Sequence, residues 1–163
     1  MIRGLIATVA GAAGAVIASQ APGFTQQYMQ NLEGRVDELR IIVERFDAKI
    51  AAIGYDRARA EAECATAELL LGALCEGITQ DIARYERLSA HRTALLAAEP
   101  WQRPIVLART ADRDVAESAY RRFEPAVPAT ASGAGYAGAG FAVFWSVLTL
   151  LTAPFGRRRR RYA

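Results

Sequence analysis

No charged side chain occurs between Glu124 and Arg157, and that uncharged interval constrains the fold more than any other feature of the chain. A helix crossing the hydrocarbon core of a bilayer needs about 20 mostly apolar residues, and residues 129–156 supply them. Five consecutive arginines follow, Arg157, Arg158, Arg159, Arg160 and Arg161. Basic residues beside a span stay on the cytoplasmic side. A shorter apolar segment, residues 2–19, opens the chain behind a single basic residue, Arg3.

The charges between these two segments are segregated. All 17 acidic residues fall between Glu33 and Glu124 together with 14 of the 20 basic ones, so the middle of the chain carries −3. Arg3 and the terminal arginines supply the rest of the balance and bring the chain to +3. The excess therefore sits where anionic lipid headgroups are the nearest partner, and nucleic acid is not expected as one. The organisation that follows is an all-α membrane helical hairpin of two transmembrane helices. Its parts are a first span over 1–23, an extramembrane antiparallel, coiled-coil-like helical unit over 24–128, a second span over 129–156 and a basic tail over 157–163. Both termini are expected in the bacterial cytoplasm and the middle in the periplasm. Residues 2–19 also have the outline of a signal peptide, but cleavage after Ala21 would leave Pro22 at the new terminus, so a retained anchor is expected.

Small residues recur within both apolar segments. Gly4, Ala7, Gly11, Gly14 and Ala18 lie three or four apart in the first, and Ala134, Gly138, Ala142 and Ser146 four apart in the second. Such ladders let helices approach closely in lipid, where van der Waals contact drives association. The two segments are expected to pack on each other or on a partner's spans.

In the middle, Met29, Leu32, Val36, Leu39, Val43, Phe46, Ile50 and Ile53 alternate spacings of three and four. That is the narrow stripe of a coiled-coil-like helix, expected to end at Gly54 and to leave a stripe exposed for a second chain. Asp56 can cap the next helix. Residues 56–98 then read as one long helix or as two with a weak point at the glycines of 72–77. Leu71, Leu74, Ile78, Ile82, Tyr85, Leu88 and Leu95 form its apolar face, which suits the first helix's stripe, and the short Gly54-Tyr55 connection makes an antiparallel hairpin of the two. Prolines 100 and 104 predict a turn with a short helix through Leu107. Asp112 or Asp114 is expected to cap a last short helix with Val115, Ala119 and Tyr120 on its apolar side. Glu117 and Arg121 have the favourable i,i+4 order.

Chemistry is sparse. Gly133, Gly135 and Gly138 fit G-x-G-x-x-G, but a dinucleotide site requires a preceding strand and a downstream acidic residue, and here prolines precede and arginines follow. His91 is the sole histidine and is expected on a helix surface. Cys64 and Cys75 on one continuous helix would stand about 16 Å apart, beyond the roughly 7 Å a bridge allows; they are expected as small buried hydrophobes. Trp101, Tyr136 and Trp145 are interfacial or packing aromatics. No catalytic residue, metal site or cofactor is expected, and the partners expected are lipids, other membrane subunits or further copies of this chain. Arg3 and Arg157 to Arg161 are the expected headgroup anchors.

Directly after the first span, Gln20, Pro22, Phe24, Gln27 and Tyr28 form the pattern Q-x-P-x-F-x-x-Q-Y. With Leu32, Glu38 and Phe46 it resembles the start of the bacterial family named domain of unknown function 2937. Tyr120, Phe123, Pro125 and Pro128, before the second span, are similar to that family's end. The resemblance implies a small two-span membrane protein and carries no activity, cofactor or catalytic residue. The polar residues of the junction are expected to seat the helix at the membrane interface. The function expected is that of a non-enzymatic accessory or assembly subunit of a membrane protein complex, with a homo-oligomeric membrane scaffold held by a periplasmic coiled coil as the alternative.

Overall fold

The computed structural model describes residues 2–125 and 130–157, with side chains over 4–125 and 130–152. All regular structure among these residues is α-helical. Helix α1 (Ile2–Ser19) runs into α2 (Ala21–Ala52) across Gln20 alone, which keeps right-handed helical angles. The Phe24 amide still donates to the Gln20 carbonyl at 2.9 Å. Pro22 occupies the first turn of α2, where its missing N–H removes no helical hydrogen bond. The expected boundary at residue 23 is thus not a break in the backbone. α1 and α2 form one nearly continuous rod of about 75 Å.

The rod ends where expected. Gly54 has φ +77°, its amide donates to the Ala51 carbonyl, and the Tyr55 amide reaches back to Ile50. Those are the paired bonds of a Schellman ending, which needs a left-handed residue that glycine adopts freely. Asp56 then caps α3 (Arg57–Cys64), accepting from the Arg59 amide at 2.8 Å.

After α3 the structure departs from expectation. The interruption before α4 (Leu69–Ala97) lies at 65–68, not at the glycines of 72–77, which are helical. Gly72 instead permits a close approach, because a Cβ there would stand 2.9 Å from the Ala67 carbonyl oxygen. With the helix broken at 65–68, Cys64 and Cys75 come to a Cα separation of 5.4 Å and form a disulfide. The expectation of two unbridged cysteines fails because it assumed a continuous helix.

α5 (Arg103–Thr110) has Pro104 in its first turn, and α6 (Arg113–Arg122) is capped by Asp112, which accepts from the Val115 amide at 3.1 Å. Glu117 and Arg121 pair at 3.0 Å. Val115 and Ala119 are buried, but Tyr120 is 74% exposed and does not share their face. The core joins Tyr28, Leu32, Val36 and Leu39 of α2 to Leu88 and Leu95 of α4, Leu107 of α5, and Val115 and Ala119 of α6. The α2 stripe is therefore largely covered by its own chain, and little of it is left exposed for a partner. Only its far end, at Ile53, remains open. Helix α7 (Ala131–Arg157) returns to lie against α1, the most extensive helix–helix contact in the protein.

Candidate functional site: the paired apolar helices and their junction

Among the described residues two helices are long and apolar enough to cross a membrane, Gly4–Ala52 through its N-terminal part and Ala131–Thr152. Neither apolar window is buried as a core helix is, since only 22% and 6% of the two windows are covered by the rest of the protein. Where they touch, small residues of α1 receive large ones of α7. Ala7, Gly11 and Gly14 are buried. A Cβ added at Gly11 would stand 2.8 Å from the Phe141 ring, and one at Gly14 would meet both Phe144 and the Gly140 carbonyl oxygen at 2.9 Å. Gly140 lies against Gly14 and Ala18 in turn. Glycine is required at Gly14 and Gly140 because the obstacle is backbone, which cannot rotate away.

The remaining ladder residues lie elsewhere. Gly4 is exposed, with nothing within 4 Å of an added Cβ. On α7, Ala134, Gly138, Ala142 and Ser146 are all exposed, while Gly133 and Gly140 are the buried glycines. The four-residue ladder thus points away from α1, and the contact is made instead by Gly140, Phe141 and Phe144. Gly133 and Gly138 of the G-x-G-x-x-G pattern sit in the first turns of α7, with the Gly133 amide donating to Thr130 Oγ1 at 3.1 Å. Of the basic anchors, the side chains of Arg3 and Arg157 and all of Arg158 to Arg161 lie outside the described residues, as does Pro128.

At the junction, Phe24 meets Phe123 edge-on with ring centroids 5.6 Å apart, which ties the start of α2 to the segment leading into α7. Gln20 donates to the Ser19 hydroxyl at 3.1 Å, and the Gln27 carbonyl accepts from Asn31 at 2.9 Å. Tyr28 is fully buried. Its phenol oxygen accepts from the Asp112 amide at 2.9 Å and lies 2.9 Å from His91 Nε2. The phenol and the imidazole share one hydrogen bond, and which of the two donates depends on the imidazole tautomer. Burial lowers the His91 pKa below its ordinary value, partly opposed by the Asp112 charge, and burial raises that of Tyr28. His91 is thus a half-buried clasp between α4 and α2. Separations of 63 and 84 residues along the chain left no periodic signal for this triangle.

A family model described as "Protein of unknown function (DUF2937)" matches residues 2–161. The chain belongs to this family. The match takes in both apolar helices, the Gln20–Tyr28 junction and the central segment 57–98, which the sequence resemblance left unassigned. No curated protein and no solved structure matches the chain.

In this DUF2937 chain the end of the helical unit farthest from the paired helices is apolar and bare. Leu69 is 91% and Leu70 75% exposed, and Leu71, Leu74 and, at the end of α2, Ile53 are exposed as well. Leu69 has φ +49°, a left-handed conformation that is unfavourable for a branched side chain. The Cys64–Cys75 bridge spans this turn. Polar contacts elsewhere tie helices together at the surface, as between Arg84 and Asp114 at 2.9 Å and between Arg92 and Glu33 at 2.9 Å. The Arg84 partnership holds the Asp114 carboxyl below its usual pKa. Among the described residues no group of three or more His, Cys, Asp or Glu side chains is placed to hold a metal ion.

Proposed function

We propose that the chain is a non-enzymatic accessory or assembly subunit of a bacterial inner-membrane complex. α1 and α7 cross the bilayer as a hairpin, both termini are cytoplasmic, and the helical unit between them is periplasmic. The observation that carries the reading is the outward orientation of Ala134, Gly138, Ala142 and Ser146 on α7. A ladder of small residues suits the close approach of a further helix in lipid, and α1 does not occupy it. The bridge between Cys64 and Cys75 supports the orientation, since disulfides persist in oxidising compartments such as the periplasm. So do the terminal arginines, as basic flanks favour the cytoplasmic side.

Purification from native membranes in mild detergent, followed by mass spectrometry of what accompanies the chain, tests the proposal. A stoichiometric set of membrane subunits is expected, and Gly138→Leu should release it. An added Cβ at Gly138 meets nothing within 4 Å, so the substitution leaves the α1–α7 contact intact. Recovery of this chain alone from the unsubstituted protein would sink the accessory reading. A mass of several copies would then favour a homo-oligomeric scaffold. Because the α2 stripe is taken up within the chain, such a scaffold would associate through α7 and not through a periplasmic coiled coil.

A further inference from the structure

Between the turn that follows α4 and the first turns of α7 lies an open groove of about 600 Å³. Pro100, Trp101 and Ile105 form one wall, and Gly135, Tyr136 and Ala139 the other. No charged side chain lines it. The polar atoms at its edge are engaged, with Tyr136 Oη donating to the Trp101 carbonyl oxygen at 2.5 Å and the Ser132 hydroxyl 3.2 Å from that of Thr130. A polar ligand would find little to bind, whereas hydrocarbon would lose nothing by entering.

Two further observations identify the occupant. Glycine is less favourable than alanine within a helix, yet a Cβ at Gly135 would meet nothing within 4 Å. Contacts within the chain therefore do not explain the missing side chain, and its effect is to deepen the groove. Gly135 and Ala139 also belong to the exposed face of the Ala131–Thr152 candidate span, so the groove opens onto the surface that lipid would cover. Trp101 and Tyr136 line it, and such amphipathic rings favour the boundary between headgroups and hydrocarbon.

We propose that this groove is a binding site for one acyl chain of a bilayer phospholipid, held between the Trp101 turn and the first turns of α7. The site rests on the reading that α7 crosses the bilayer. It fixes the helical unit to the membrane surface at a second place, beyond the α1–α2 junction.

The test uses the full chain reconstituted in phospholipid bilayers, with brominated acyl chains as fluorescence quenchers. Trp145→Phe leaves Trp101 as the reporter of the groove, and Trp101→Phe leaves Trp145 as the reporter of the span. The Trp101 emission is expected to be strongly quenched. Filling the groove by Gly135→Leu, or by Ala139→Leu as a second variant, should remove most of that quenching while leaving Trp145 quenched as before. Persistence of the Trp101 quenching in both filled variants would mean that the ring merely faces bulk lipid, and would overturn the site. A quenched Trp145 beside an unquenched Trp101 would overturn it too, leaving the span reading intact. If neither tryptophan were quenched, the span reading would fall and the site with it.

Discussion

The two halves of the extramembrane unit are held together by different means. In the half near the paired apolar helices, α2 is covered by the end of α4 and by α5 and α6, with Tyr28, Leu32, Leu88, Leu95 and Val115 fully buried. In the far half, α2 faces only α3 and the start of α4, and Leu69, Leu70, Leu71, Leu74 and Ile53 are left exposed. A covalent bridge stands there beside a much smaller buried set, Val43, Ala60 and Ile82. The comparison teaches that leucine content does not make a core. Leu70 and Leu95 lie in the same helix, and what separates them is whether a third and fourth helix exist to cover them.

The widest separation between the halves should come from core truncation. Leu95→Ala removes a fully buried side chain from the point where α2, α4 and α5 meet, and such losses cost about 2–5 kcal/mol. Denaturant unfolding of the helical unit should shift by that amount, and a change under 1 kcal/mol would show that the near half does not carry the stability. Removing the bridge with Cys64→Ser and Cys75→Ser should cost about 3 kcal/mol on a chain-entropy basis, but locally. Amide exchange should rise across α3 and the first turns of α4 and stay unchanged around Leu88 to Leu95. The gap at 65–68 contains neither glycine nor proline, so without the bridge it is free to become helical and Leu69 to leave its left-handed conformation. Helical content measured by circular dichroism should then hold or rise, and a fall would refute this account of the break.

Much of this contrast was legible in the sequence, and what was not has a common cause. Gly54 and Asp56 end and restart helices by local chemistry, and both act as expected. The helix break at 65–68 escaped because Ala65, Thr66, Ala67 and Glu68 have no backbone preference against a helix; the bridge that accompanies it is a tertiary constraint. Likewise the small-residue ladder on α7 has a regular spacing, but spacing does not say which face a partner uses. Gly140 made the contact because Phe141 and Phe144 beside it fill the hollows at Gly11 and Gly14. His91 and Tyr28 were each visible as residues, while their meeting depended on how α4 folds back on α2.

That meeting gives the next smaller effect. Tyr28→Phe keeps the ring but deprives the Asp112 amide and His91 Nε2 of their partner, at a cost of about 1–3 kcal/mol. The same clasp makes the near half sensitive to acid. Burial depresses the His91 pKa in the folded state, so between the folded and unfolded values the unfolded chain binds the extra proton. Stability then rises with pH across that window, and falls as the pH drops below the ordinary imidazole value of about 6.5. Thermal unfolding of the unsubstituted chain at pH 7 and pH 5 should show this loss, and it should diminish in His91→Gln.

The smallest effect is expected from the most exposed leucines. Leu70→Ser removes a large apolar side chain that is 75% exposed, and substitutions at such positions change stability by no more than about 0.5 kcal/mol. In the near half an equivalent change at Leu95 would be among the worst the unit could suffer. A substantial loss of stability from Leu70→Ser in the isolated chain would mean that the far half has a core of its own and that the comparison is wrong. A neutral result in the isolated chain, combined with a loss of whatever co-purifies from native membranes, would place the missing cover on another protein. The two measurements are independent, because stability reads what the chain does for itself, and co-purification reads what the bare leucines do for something else.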